Sequence, residues 1–219
     1  PSVAIDLARQ LNEQPRRRGS EWIRLSGALD KKRRHEQPYW RDLKQQARSE
    51  AACSEPSSFA VVSEQIEKDL PRTGLRQTGG SWENLRSVLV GFALHNKTIG
   101  YCQSMNFVGA ELLLAYEQSA ESLDNFDGCE ECSFWVLAAL VEDVFVDYYD
   151  AHLLGLRVDV AVVEELLQDN LPQLAAHLEA NGVALAPVLV ELLMTLGLIM
   201  SGLSAMISRA EVTSHTEVQ

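Results

Sequence analysis

The 219-residue chain is poor in cysteine, in strand-like alternation and, beyond residue 50, in positive charge. Its four cysteines, Cys53, Cys102, Cys129 and Cys132, are too few for a disulfide-stapled scaffold. With no signal-peptide pattern ahead of them, they lead us to expect a reducing, cytoplasmic setting. Cys129-x-x-Cys132 is half of a zinc site, and no second CxxC or closely spaced histidine pair completes it, so the sequence predicts no metal and two free thiols in an acidic loop. Runs that alternate apolar and polar residues are almost missing, which excludes a β architecture. Residues 1–50 hold 12 Lys/Arg against 7 Asp/Glu, whereas residues 51–219 hold 7 against 24, within a net charge of −12. So acidic a body repels phosphate, and nucleic acid is not an expected partner. The basic runs Arg16-Arg17-Arg18 and Lys31-Lys32-Arg33-Arg34 admit a membrane-surface or nuclear-address reading. A solvated helix face or loop is the simpler one.

What the chain does have is helical periodicity. With 46% hydrophobic and 23% charged residues it can bury a sizeable core. Ser2 can cap a helix that Pro15 stops. "EWIRLSGALDKKRRH" reads as one helical segment, and Pro38 suits the first turn of "PYWRDLKQQARSEAAC". "FAVVSEQIEKDL" is an amphipathic helix ending at Pro71. Ser81 is the predicted N-cap of "WENLRSVLVGFALHN", with an apolar stripe of Trp82, Leu85, Val88, Leu89 and Phe92. A helix from about Gln103 to Glu117 carries Met105, Val108, Leu112 and Tyr116 on one face. "SFWVLAALVEDVFVDYY" should be central. Asp159 should cap "VAVVEELLQDN", and Asn170 and Pro172 should open a helix that Gly182 closes. Residues 183–206 approach the roughly 20 apolar residues a membrane span needs. Glu191 and Pro187 interrupt them, so a core helix is expected. No repeat and no linker divides the chain: the fold class is all-α, one multi-helix domain of about nine helical segments.

Two stretches invite chemistry. In "IEKDLPRTG", Pro71 removes an N–H and fixes φ, and it disfavours the α region for Leu70. Asp69 is then in the last helical turn and Arg72 starts a loop, with Ile66 anchoring the helix end in the core. Asp69 can steer the Arg72 guanidinium, which suits a partner's negative charge. In "IGYCQSMN", Gly100 breaks the chain direction and Tyr101 is a packing anchor. Gln103 stands at or just before a helix N-terminus, where its fixed amide can orient a water. Taken alone, each stretch is ordinary surface or capping material.

Taken together, Ile66-x-x-Asp69-x-x-Arg72 and Tyr101-x-Gln103-Ser104-Met105 resemble the paired signatures of the TBC domain of Rab GTPase-activating proteins. "RGSEWIRLSGA", "LRSVLVGFALHNKTIGYCQSMNFVGA", "FWVLAALVEDVFVDYYD" and "LPQLAAHLEANGV" are similar to the same family, over about residues 18–196. The expected division is a helical lead-in at 1–17, a partial TBC domain at 18–196 and a divergent tail at 197–219. Beyond Gly197 the resemblance stops and the last third of the domain is expected to be missing or altered. Glu191 also stands where the family pattern has an aromatic.

The resemblance implies a protein that meets a Rab-type small GTPase in its GTP-bound state. Arg72 would be an arginine finger and Gln103 a glutamine finger, both supplied in trans, with Asp69, Ile66, Tyr101, Ser104 and Met105 in support. No cofactor of its own is implied, since GTP and Mg²⁺ belong to the partner, and any contact with vesicle membranes would be peripheral, through that partner. The alternatives are a TBC-like binding scaffold without activity, for which the altered C-terminus speaks, and a helical adaptor unrelated to GTPases.

Overall fold

The computed structural model describes residues 15–52, 57–73, 80–117, 125–150 and 152–194, with side chains except at 15–18 and 191. The expected Ser2 helix, the 1–17 lead-in as far as Gln14 and the tail from 197 lie outside the described residues. Among those residues all regular structure is helical. The α-helices are α1 (Pro15–Ser26), α2 (Ala28–Arg33), α3 (Tyr39–Ala52), α4 (Ser58–Asp69), α5 (Trp82–His95), α6 (Met105–Glu117), α7 (Gly128–Ala139), α8 (Leu154–Asn170), α9 (Pro172–Ala180) and α10 (Leu185–Leu192).

The core is built around α7, buried almost without interruption from Glu131 to Val141. A helix apolar on all sides must be covered on all sides, and α2, α5 and α6 pack on it. Helix α3 reaches the same core through Trp40, stacked on Phe134 with ring centroids 5.0 Å apart. This close approach depends on Gly91, where a Cβ would stand 2.5 Å from the Trp40 ring. Ser81 caps α5 as its sequence predicts, its side chain accepting from the Asn84 N–H. Pro172 opens α9 at its first turn, and Gly182, at φ 67°, follows its end.

Several expectations are corrected. The segment 21–35 is not one helix: Gly27, at φ 73°, divides α1 from α2. Cys129 and Cys132 sit on α7 rather than in an acidic loop, and burial pushes both thiols up. Asp159 caps nothing, because α8 begins five residues earlier at Leu154; its carboxylate instead accepts from the Tyr148 hydroxyl. The basic run at 31–34 is not a solvated face throughout. Lys31 is buried and pairs with Glu142 (2.9 Å) and Asp143 (2.7 Å), and Lys32 pairs with Glu131 (2.7 Å).

Consecutive carboxylates reach Lys31 because α7 passes into a wide π-turn, Leu140–Val144. Glu142 also receives the Asn96 amide (2.7 Å) and His95 Nε2 (3.3 Å), while His95 Nδ1 meets the Tyr39 hydroxyl at 2.8 Å. Burial alone would push Glu142 up. The hydrogen bonds from His95, Asn96 and Lys31 outweigh it and hold the carboxyl down to about 2.

No helix among the described residues is long and apolar enough to cross a membrane. Of the apolar stretch 183–206, residues 185–192 form α10, which puts Leu189 into the core, with Met194 just beyond it.

Candidate functional site

Helix α4 starts at a Ser57 cap, whose side chain accepts from the Ala60 N–H, and ends against the core through Ile66 and Leu70, both essentially inaccessible. Leu70 does not leave the helical region as the following proline predicts: it stays at φ −51°, ψ −46°, and Leu70–Thr73 form a 3₁₀ turn. Burial of the Leu70 side chain in the core holds it there. Proline's fixed φ near −65° fits a tight turn, and its missing N–H removes only one α-type bond there. The turn is then held by side chains. Thr73 Oγ1 donates to the Leu70 carbonyl (2.8 Å), and Asn106 Nδ2 donates to the Asp69 carbonyl (3.2 Å). Arg72 therefore stands on a braced turn rather than at the start of a loop.

Asp69 is the hub of the site. Its side chain is only 7% exposed, yet both oxygens are used: Oδ1 accepts from Arg72 Nη1 at 2.8 Å, and Oδ2 from the Tyr101 hydroxyl at 2.9 Å. Arg72 itself is 62% exposed at the side chain. So the arginine is tethered at one edge by a buried anion and open to solvent along the other. Burial first, and the Asp69 carboxylate second, push the Tyr101 hydroxyl well above its ordinary value. It remains a proton donor to Asp69 at any physiological pH.

Tyr101 is delivered by a tight connection after α5. Asn96 Oδ1 accepts from the Ile99 N–H (3.0 Å), the Gly100 N–H donates to the Asn96 carbonyl (2.7 Å), and Gly100 turns the chain at φ 64°. Gln103 follows, exposed, in the turn before α6, whose first residue is the buried Met105. Ser104 takes φ 83°, a left-handed conformation that a serine adopts at a cost. Asn106 makes that geometry worthwhile, since its Oδ1 accepts from the Ser104 N–H at 3.1 Å while its Nδ2 holds the Asp69 carbonyl.

The two motifs are thus brought into one assembly by ties across 32 residues, Tyr101 to Asp69, and 37 residues, Asn106 to Asp69. The structure places Ile66 and Met105 in the core, Asp69 and Tyr101 in the supporting network, and Arg72 and Gln103 at the surface. Sequence reasoning treated Tyr101 as packing only and passed over Asn106. The available signal was an asparagine next to a motif whose backbone must turn sharply, since a short amide can serve a donor and an acceptor at once.

The comparisons with known proteins bear on the family and the fold. The model of the Rab-GTPase-TBC domain family matches residues 15–204, beginning before Arg18 and passing Gly197. Rat growth hormone-regulated TBC protein 1 (Rattus norvegicus) is 40% identical over 101 residues, 46% of this chain and 31% of that protein. Mouse TBC1 domain family member 2A (Mus musculus) is 37% identical over 142 residues, 62% of this chain and 14% of that one. The match therefore spans about a third or less of these relatives' length. The crystal structure of the Chlamydomonas flagellar RabGAP TBC domain has the same fold, with a TM-score of 0.64, 24% identity, and coverage of 87% of this chain and 59% of that one. By the extent of the family match, the chain belongs to the Rab-GTPase-TBC domain family.

Proposed function

We propose that the chain accelerates GTP hydrolysis on a Rab-type small GTPase in its GTP-bound state, acting on the partner's nucleotide without a substrate of its own. The observation that carries this reading is the posture of Arg72: an exposed guanidinium whose base is fixed by Asp69, itself locked by Tyr101. In phosphoryl transfer, negative charge spreads over the γ-phosphoryl and leaving oxygens, and an arginine supplied in trans is worth about 10³–10⁵ in rate. Gln103, on the turn two residues past Tyr101, would orient the attacking water. GTP and Mg²⁺ come with the partner, and recruitment to endomembranes, if it occurs, comes with it too.

The test is single-turnover hydrolysis across a panel of GTP-loaded Rabs, with affinity measured on the same samples. A responsive Rab should lose hydrolysis rate with Gln103→Ala far more than it loses affinity, because the water is fully positioned only in the transition state. If rate and affinity fall together, Gln103 is an interface residue and its catalytic role is wrong. A second reading, a binding scaffold without acceleration, is favoured by one observation: α9 has no buried residue, and α8 and α10 leave large apolar side chains exposed. No acceleration on any Rab that binds would decide for it.

A further inference from the structure

Asn106 is the second residue of α6 and only 1% exposed, yet both ends of its amide are used. Its Oδ1 accepts from the Ser104 N–H at 3.1 Å, and its Nδ2 donates to the Asp69 carbonyl at 3.2 Å. Both partners are backbone groups. One lies just before α6 and the other at the end of α4, where helices run short of partners of their own. The Ser104 N–H can only donate and the Asp69 carbonyl can only accept, so the amide has a single orientation. A short side chain with a planar head thus fixes the spacing between two stretches of backbone far apart in sequence. Those stretches carry Gln103 and Arg72. The Ser104 N–H belongs to the peptide that follows Gln103, and Asp69 is the residue whose carboxylate holds Arg72. At φ 83°, Ser104 is strained, and such strain persists only where neighbours impose it. The bond to Asn106 is one such restraint. Without it, relaxation of Ser104 would rotate the Gln103–Ser104 peptide. The bond from Tyr101 to Asp69 joins side chains and does not hold that peptide.

We propose that Asn106 is a positioning residue: it holds the Gln103 turn in register with the Arg72 turn, so that the two side chains reach one nucleotide together. The catalytic consequence rests on the GTPase reading above; the positioning itself does not. Two groups that act on the same phosphoryl transfer must be placed together, and a misplacement of about 1 Å costs on the order of 10²-fold in rate. Asn106 touches neither nucleotide nor water in this arrangement and acts only through the backbone it holds. The competing role for a buried asparagine is filling space. Leucine, of similar volume, would serve that role as well, whereas it can make neither hydrogen bond.

The test compares Asn106→Leu, which keeps volume and loses both bonds, with Asn106→Ala, which loses volume and bonds alike; circular dichroism verifies the fold, and the alanine variant serves if the leucine variant does not fold. In the full chain without a partner, amide exchange and nitrogen relaxation are followed at Gln103 and Ser104. In both variants the Ser104 amide should exchange about tenfold faster or more, as befits one lost hydrogen bond. Gln103 should gain mobility, while amides in the middle of α4 and α6 keep their protection. Unchanged exchange and order at Gln103 and Ser104 in a folded variant would overturn the proposal, whether or not the chain accelerates any GTPase. On a responsive Rab, Asn106→Leu should lower the single-turnover rate on the order of 10²-fold with little change in affinity for the GTP-bound partner. Added to Gln103→Ala, it should lower the rate hardly further, because it acts through Gln103. Full additivity of the two substitutions, or equal losses of rate and affinity, would also overturn the proposal. If the unaltered chain accelerates no Rab, the GTPase reading fails, and the exchange measurement alone decides for or against the positioning.

Discussion

The helices before residue 150 and those after it treat the same residue types in opposite ways. In α5, α6 and α7, leucine, valine and phenylalanine are almost all hidden, and the buried charged groups of this part are paired: Lys31 with Glu142, Asp69 with Tyr101, Glu131 with Lys32. In α8, α9 and α10, Leu154, Val158, Leu174, Val188 and Leu192 stand about half exposed. The difference teaches where the candidate site gets its rigidity. Ile66, Leu70, Met105 and Asn106 all belong to the closed part, so the turns that carry Arg72 and Gln103 are braced by packed helices and owe little to the open layer.

The strongest way to break this comparison is to remove Arg72, the exposed cation that the buried Asp69 holds. Arg72→Lys should behave nearly like Arg72→Ala, with hydrolysis on a responsive Rab falling by about 10³–10⁵, because an ammonium cannot present a planar fork. Thermal unfolding should barely move in either variant. A lysine variant that keeps most of the acceleration would show that charge alone suffices.

Next in size is a matched pair of truncations. Phe134→Ala, at a fully buried position in α7, should cost about 3–5 kcal/mol in urea unfolding. Leu166→Ala in the open layer should stay within about 0.5 kcal/mol. Similar costs for the two would mean that α8 is covered in solution and that the contrast between the layers is false.

The polar interior gives a pH test. Glu142 is held down to about 2 against an ordinary value of 4.5. Its ionised form is therefore favoured by folding, and the stabilisation is fully present above about pH 4.5 and lost as pH falls toward 2. Urea midpoints of the chain and of Glu142→Gln should differ most near neutral pH and converge across that window. A constant gap would mean that the carboxylate's charge is not what matters. A small gain belongs to Ser104→Gly, which relieves the φ of 83° and should raise stability by about 0.5–1 kcal/mol. Loss of stability would mean that the serine hydroxyl has a role beyond the turn.

Much of the helical frame was legible in sequence because its signals are local. Ser81 announces α5, and Pro172 and Gly182 bracket α9. The stripe of Met105, Val108, Leu112 and Tyr116 identifies the buried face of α6. The site's endpoints, Arg72 and Gln103, were legible through paired motifs. The links between them were not, since Tyr101 to Asp69 and Asn106 to the Asp69 carbonyl join residues 32 and 37 apart, and no periodicity encodes such a meeting. The failures have the same origin. Lys31 and Lys32 look like solvent-facing cations until α7 brings acids to them, and Leu70 obeys the tertiary packing of its side chain against the local preference of a residue before proline.

The single bond from Arg72 to Asp69 has a consequence for how a partner could be met. A guanidinium carries five N–H donors, and only one, on Nη1, is committed to Asp69. A phosphate arriving from solvent need not displace the aspartate to be bound; it can take the donors that remain while the first stays engaged. The rotamer freedom an arginine would otherwise surrender at encounter, about 2 kcal/mol when fully ordered, is in part already given up when the chain folds. An anion that came to Arg72 would meet a side chain whose search is largely over, and the buried carboxylate behind it would set the direction of that approach.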